Sequence, residues 1–150
     1  MKVVQQDILE VLTMTVKEAF EIIKGITGGR NQSKLFPPKT ASQILEYEQN
    51  NKIHIPESYK EWLINSNGGR LFGGYVNLYG IDNPPQPAIG NDFSNGRVPN
   101  EYLILGYMEE QHICCDKNSG EFFLYEYVEP TQYFKNFADL LEYIIDICLN

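Results

Sequence analysis

Apolar positions recur at helical spacing at both ends of this chain and alternate through its middle. Residues 6–26 carry the first helical pattern in two pieces: Ile8, Leu9 and Leu12 form one face, and Val16, Ala19, Phe20, Ile23 and Ile26 continue it. Thr15, followed three residues on by Glu18, has the capping-box spacing that starts the second piece, and Gly28-Gly29 ends it. Thr40 or Ser42 can cap a short helix through Ile44, Leu45 and Glu48, which Asn50-Asn51 breaks. Pro56 suits the first turn of a third helix, where its missing N–H would be unpaired anyway; Tyr59, Trp62 and Leu63 then share one face until Asn67 and Gly68 stop the helix.

A strand pattern follows over residues 75–80, with Val76, Leu78 and Gly80 alternating with Tyr75, Asn77 and Tyr79. Three more strands are expected over residues 102–108, 111–116 and 121–128, joined by turns at Glu109-Glu110 and residues 117–120. Asn136 and Asp139 open a last helix whose Phe137, Leu140, Leu141, Ile144, Ile145 and Cys148 form one apolar face. Helices, then an antiparallel meander, then a helix predict an α+β fold: a mainly antiparallel sheet flanked by N-terminal helices and a C-terminal helix.

The connections divide this plan. Residues 29–33 and Pro37-Pro38 are polar and rich in breakers, so residues 1–35 are expected to be a helical extension and residues 40–150 the core of a single domain over 1–150. Residues 81–102 hold four prolines and little periodicity. A loop that long inside a small domain either contacts a partner or is a tolerated surface insertion. The glycines of residues 68–74 lack the Gly-Lys-Ser/Thr ending of a phosphate loop and lie between a helix and a strand in the wrong order; the first pair is expected to cap the helix and the second to permit a bend.

Charge adds an asymmetry that the hydrophobic pattern does not show. Residues 1–66 hold eight acidic and eight basic side chains, whereas residues 67–150 hold twelve acidic and four basic, so the whole net charge of −8 belongs to the second part. This argues against direct nucleic-acid binding, which needs Lys and Arg to neutralise phosphates, and favours a basic partner. An acidic surface also serves solubility alone. No apolar run has the length of a membrane span, and Asp7 and Glu10 interrupt the stretch a signal peptide would need, so a cytoplasmic protein with its three cysteines reduced is expected.

Candidate chemistry is sparse. His112, Cys114 and Asp116 alternate along one strand and would share a face, a set that could in principle ligate a metal or form a Cys/His nucleophilic site. The chain has only two histidines and no Cys-x-x-Cys pair, and strand cysteines are commonly buried, so packing is the preferred reading; no metal, cofactor or catalytic residue is assigned. His54, beside an apolar pair, is read as a packed or half-exposed histidine. Glu109 and Glu110 at a hairpin turn are solvated and suit recognition better than acid–base work.

Pro56-x-x-Tyr59-x-x-Trp62-Leu63, then Asn67-Gly68-Gly69, then Leu78-Tyr79-Gly80, resembles the signature of the SUKH superfamily, also called the Smi/Knr-like family. The segment from Asn136 and Phe137 is similar to that family's closing helix. The resemblance covers roughly residues 40–150 and implies an α+β fold and a non-catalytic binding role. Bacterial members are typically immunity proteins that bind and block a cognate toxin, often a nuclease; eukaryotic members are regulatory scaffolds. Pro56, Tyr59, Trp62, Leu63, Asn67, Gly68, Gly69, Gly80 and Phe137 would then be architectural. A nuclease toxin presents Lys and Arg, so the expected partner surface is Asp82, Asp92, Glu101, Glu109, Glu110 and Glu121, with exposed tyrosine from the 83–102 loop. A regulatory scaffold and a Cys/His-dependent enzyme remain the alternatives.

Overall fold

A computed structural model describes residues 14–82, 87–90, 94 and 96–150. Four helices and a six-stranded sheet account for it: α1 (Val16–Gly25), α2 (Ala41–Asn51), α3 (Glu57–Leu63), β1 (Gly69–Leu71), β2 (Val76–Leu78), β3 (Tyr102–Met108), β4 (Gln111–Asp116), β5 (Phe122–Glu126), β6 (Glu129–Phe134) and α4 (Phe137–Leu149). The strands lie in chain order and every neighbouring pair is antiparallel, so the fold is α+β.

The helix starts follow their caps. Thr15 with Glu18, and Thr40 with Gln43, each close a reciprocal capping box, and the Asn136 side chain accepts from the Asp139 N–H. The predicted strands 102–108 and 111–116 are found with those bounds. The apolar piece around Ile8, Leu9 and Leu12 lies outside the described residues. Helix α1 uses Val16, Ala19, Phe20 and Ile23 as core residues, and Phe20 meets Trp62 edge-on at 5.7 Å, so this segment shares the core of the strands and helices that follow it.

Three local readings need correction. Helix α3 ends at Leu63, four residues before Asn67: the Ser66 and Asn67 side chains turn inward instead, Ser66 Oγ donating to the Gly68 carbonyl and Asn67 Oδ1 accepting from the Ile81 N–H. Gly69 then opens β1, a three-residue strand too short to show alternation, held on its outer side by paired Lys34 and Arg70 backbone bonds of 2.8 and 2.9 Å. The stretch 121–128 holds the whole of β5, which stops at Glu126, and then a tight turn at Tyr127-Val128, after which β6 begins; the pattern of β6 is exposed at most positions and carries Pro130, which hides it from a periodicity search.

One node joins the helices to the sheet. Trp62, Tyr59 and Phe137 are fully buried and stack edge to face, with Tyr59–Phe137 at 4.7 Å and Trp62–Phe137 at 6.2 Å. The polar atoms of the node are satisfied by backbone: Trp62 Nε1 donates to the Gly68 carbonyl at 3.0 Å, and the Tyr59 hydroxyl donates to the Tyr79 carbonyl at 2.6 Å, with the Leu105 carbonyl also at 3.3 Å. Leu105 is the extra residue of a bulge in β3, where the register with β4 skips between Ile104 and Gly106. Its neighbour Gly106 lies so close over β2 that any Cβ would overlap the Asn77 carbonyl oxygen, so glycine is required there.

Removing the Tyr59 hydroxyl should leave the ring packing intact while taking the donor from the buried Tyr79 carbonyl and one of two donors from the Leu105 carbonyl. Tyr59→Phe is expected to lower stability by ~1–3 kcal/mol, read as a shift of the urea midpoint at unchanged slope, whereas Gly106→Ala should cost more by forcing β2 and β3 apart.

Candidate functional site

A six-stranded meander places alternate turns at opposite ends, and this sorts the acidic residues. The β3–β4 turn (Glu109-Glu110) and the β5–β6 turn (Tyr127-Val128) lie at one end; the start of β3 and the β4–β5 turn lie at the other. Along β3 alone, Glu101 and Glu109 are eight residues apart, roughly 25 Å. The six expected partner residues therefore do not form one patch. Glu109 and Glu110 stand exposed at the hairpin-tip end; Glu101 and Glu121 are exposed at the opposite end; Asp82 lies beyond β2 in an ion pair with Lys39; Asp92 lies outside the described residues.

The two ends differ in charge. At the tips the strand ends and turns contribute Glu109, Glu110, Glu126 and Glu129 and no Lys or Arg; Glu126 and Glu129, flanking the second turn, complete a set that sequence reading did not assign because the turn itself went unrecognised. At the opposite end Glu101 and Glu121 are interspersed with Lys117 and Lys135, and much of the polar capacity is spent internally. Lys117 Nζ donates to the Asn100 carbonyl at 2.6 Å, and Asp116 Oδ1 accepts from the N–H groups of Asn118 and Ser119 at 2.8 and 3.2 Å.

Between the hairpin tips lies a cavity of about 480 Å³ lined by Arg97, Tyr107, Glu109, Glu110, His112 and Tyr127. Tyr107 is 39% exposed, Tyr127 70% and the adjoining Val128 82%. Gln111 Nε2 donates to Glu126 Oε2 at 3.1 Å, tying the first hairpin to the second. Arg97 points back along its own segment, Nε donating to the Ser94 carbonyl at 3.0 Å. Burial and the Glu109 carboxylate hold the Tyr75 hydroxyl above its ordinary pKa, so Tyr75 remains a neutral donor.

Both turns put a non-glycine residue in the left-handed region, Glu109 at φ 54° and Tyr127 at φ 59°. Two-residue hairpins ordinarily assign such positions to Asn, Asp or Gly. The left-handed conformation costs a side-chain-bearing residue ~1–2 kcal/mol, partly offset by the lower chain entropy of a non-glycine residue in the unfolded state. The side chains kept there face the cavity rather than the core.

The described residues of the 81–102 connection are anchored at several points. The Ile89 N–H donates to the Gly80 carbonyl at 2.8 Å, the Tyr47 hydroxyl donates to the Ile89 carbonyl, and Ile81, Ile89, Ser94 and Val98 are buried. The expected exposed tyrosine of this loop is corrected in the same way: Tyr102 is half-buried with its ring on Phe123 at 4.6 Å. The exposed tyrosines are Tyr107, Tyr127 and Tyr133, on the strands and tips.

His112, Cys114 and Asp116 do share a face, but not a site. Cys114 is buried between the registers of Ile104 and Phe123, and Asp116 closes its own turn. Burial pushes both the Cys114 and Cys115 thiols up to about 12, with the neighbouring Cys115 adding to the first and Asp116 to the second. A thiol so held carries almost no thiolate near neutrality and is a poor nucleophile. Among the described residues no group of three or more His, Cys, Asp or Glu side chains is placed to hold a metal ion, and no helix is long and apolar enough to cross a membrane.

With the geometry in place, comparison adds one match. The model of the SMI1 / KNR4 family (SUKH-1) matches residues 38–143, which span α2, α3, all six strands and the start of α4. Helix α1 precedes the matched region although it shares the core. No curated protein matches the chain.

Two outcomes follow from this geometry. Glu109→Gly and Tyr127→Gly should be neutral or stabilising by up to ~1 kcal/mol, measured by thermal unfolding, because each turn gains a residue suited to its backbone. The thiols and Tyr79, which burial also raises to about 12, ordinarily titrate at 9.0 and 10.0. Above those ordinary values the unfolded chain releases protons that the folded chain keeps. Their contribution is thus complete below about pH 9 and should fade as pH rises toward 12, seen as a falling melting temperature.

Proposed function

The chain belongs to the SMI1 / KNR4 family (SUKH-1), and from that premise we propose that it is a non-catalytic binding protein, an immunity protein that docks on a cognate toxin domain and blocks it. The observation that carries this reading is the hairpin-tip end of the meander. Four glutamates, two exposed tyrosines and an exposed valine are gathered there on backbone that two strained turns hold in place, with no Lys or Arg on the strands that bear them. Tyrosines give large rigid contact area at low entropic cost, and carboxylates around them steer a basic surface into register. A nuclease domain, which must display Lys and Arg to its own substrate, is the partner whose chemistry this surface complements.

Glu109, Glu110, Glu126 and Glu129 with Tyr107 and Tyr127 are the proposed contact residues. Glu101 and Glu121, which share their end of the sheet with Lys117 and Lys135, and Asp82, paired with Lys39, are assigned no part in it. The architectural residues Pro56, Tyr59, Trp62, Leu63, Asn67, Gly68, Gly69, Gly80 and Phe137 support the surface without reaching it.

The test is capture of the partner from the source cell by tagged chain, followed by affinity measurement with the captured protein. Glu109→Lys with Glu110→Lys should weaken binding at least about tenfold and flatten its salt dependence, while Glu101→Lys with Glu121→Lys should leave it within about twofold. Equal effects at the two ends would remove the hairpin tips as the surface, and a captured protein with no toxic activity would favour the regulatory-scaffold role.

A further inference from the structure

We propose that the cavity between the two hairpin tips is a seat for a guanidinium group, the side chain of an arginine on the protein partner. The proposal rests on reading the tips as a protein-binding surface and goes beyond it by naming the group received. The walls are of two kinds. Tyr107 and Tyr127 present phenol rings, each substantially exposed, and Glu109 and Glu110 present carboxylates on a turn that the Gln111–Glu126 bond fastens to the neighbouring hairpin. A planar cation uses both kinds at once, stacking its face on an aromatic ring while its edge N–H groups reach carboxylate oxygens. An ammonium has no such face and holds its water more tightly, so lysine is the poorer fit.

Two further groups line the cavity, and His112 sits directly across from Tyr107 in the strand register. Arg97 also lines the cavity, but its Nε is committed to the Ser94 carbonyl, and His112 is the remaining titratable group. With His112 neutral the lining carries two negative charges and one positive, and Glu126 and Glu129 at the adjoining turn increase the negative excess. The volume of about 480 Å³ accommodates a whole arginine side chain with water beside it. An anion would have only Arg97 as a charged partner and two carboxylates against it.

The experiment needs no knowledge of the partner. Amide and ring spectra of the full chain are followed while N-acetyl-L-arginine methylamide is added, with the corresponding citrulline, lysine and norleucine compounds, free L-arginine and sulfate in parallel. The capped arginine should shift signals of residues 107–112 and 125–129, with a dissociation constant in the millimolar range. Citrulline should bind about tenfold more weakly and lysine about fivefold more weakly. Glu109→Gln with Glu110→Gln, and separately Tyr127→Ala, should each weaken the capped arginine by about fivefold, with spectra elsewhere unchanged.

Equal shifts with citrulline, the absence of shifts, or a stronger response to sulfate would overturn the seat. Free L-arginine binding far better than the capped compound would also overturn it, marking a metabolite site. If arginine fails while partner capture still depends on Glu109 and Glu110, the seat falls and the tip surface stands. If arginine binds while capture ignores those residues, the group received is not the partner's and the proposal is again lost.

Discussion

The hydroxyl of Tyr59 is the point on which the rest of the molecule depends. It stands at the end of a buried ring on α3 and donates into the carbonyls of Tyr79 and Leu105, the second of which also accepts the Tyr79 N–H. Leu105 is the extra residue of the β3 bulge, whose carbonyl would otherwise have one fewer partner in a water-free interior. A single side chain therefore fixes three things: the helix against the sheet, the end of β2 against β3, and the bulge that bends β3. Burial holds that hydroxyl well above its ordinary pKa, so it stays a donor throughout the range in which the protein is folded.

From that node the geometry runs outward to the surface. The bulge sits midway along the longest strand, and beyond it β3 continues through Tyr107 to the Glu109-Glu110 turn. β4 and β5 repeat the length closely enough that the next turn at the same end, Tyr127-Val128, arrives beside the first. The meander thereby acts as a sorting device. Residues nearly twenty apart in sequence meet at the tips, whereas Glu101 and Glu109, only eight apart, are carried to opposite ends. Strand pairing, not sequence distance, decides which carboxylates act together.

The free edges of the sheet are treated differently from its tips. β1 is closed by the Lys34 and Arg70 backbone bonds, and β6 is blunted by Pro130 and by a bulge where its register with β5 skips between Leu124 and Tyr125. Thr131, the extra residue of that bulge, turns its hydroxyl onto the Leu124 carbonyl, so the irregularity is satisfied from within. The edges are thus poor templates for another strand, and the exposed tyrosines lie at the tips and on the open face instead.

Much of this was legible along the chain because its causes are local. Capping at Thr15, Thr40 and Asn136, the buried face of Tyr59, Trp62 and Leu63, and the strands around the Glu109-Glu110 turn all arise from neighbours within one or two turns. The family resemblance follows from the same residues, since they build the node. What escaped was whatever depends on partners far away. β1 and β6 are strands only because β2 and β5 lie beside them, Ser66 and Asn67 turn inward only because a strand end waits there, and Ile89 and Val98 are buried by contacts that their own segment does not encode. The charge asymmetry was a property of sequence alone, determined by counting. Where that charge gathers was decided by the antiparallel register, because only pairing across strands brings Glu109 and Tyr127 to one cavity and sends Glu101 and Glu121 away from it.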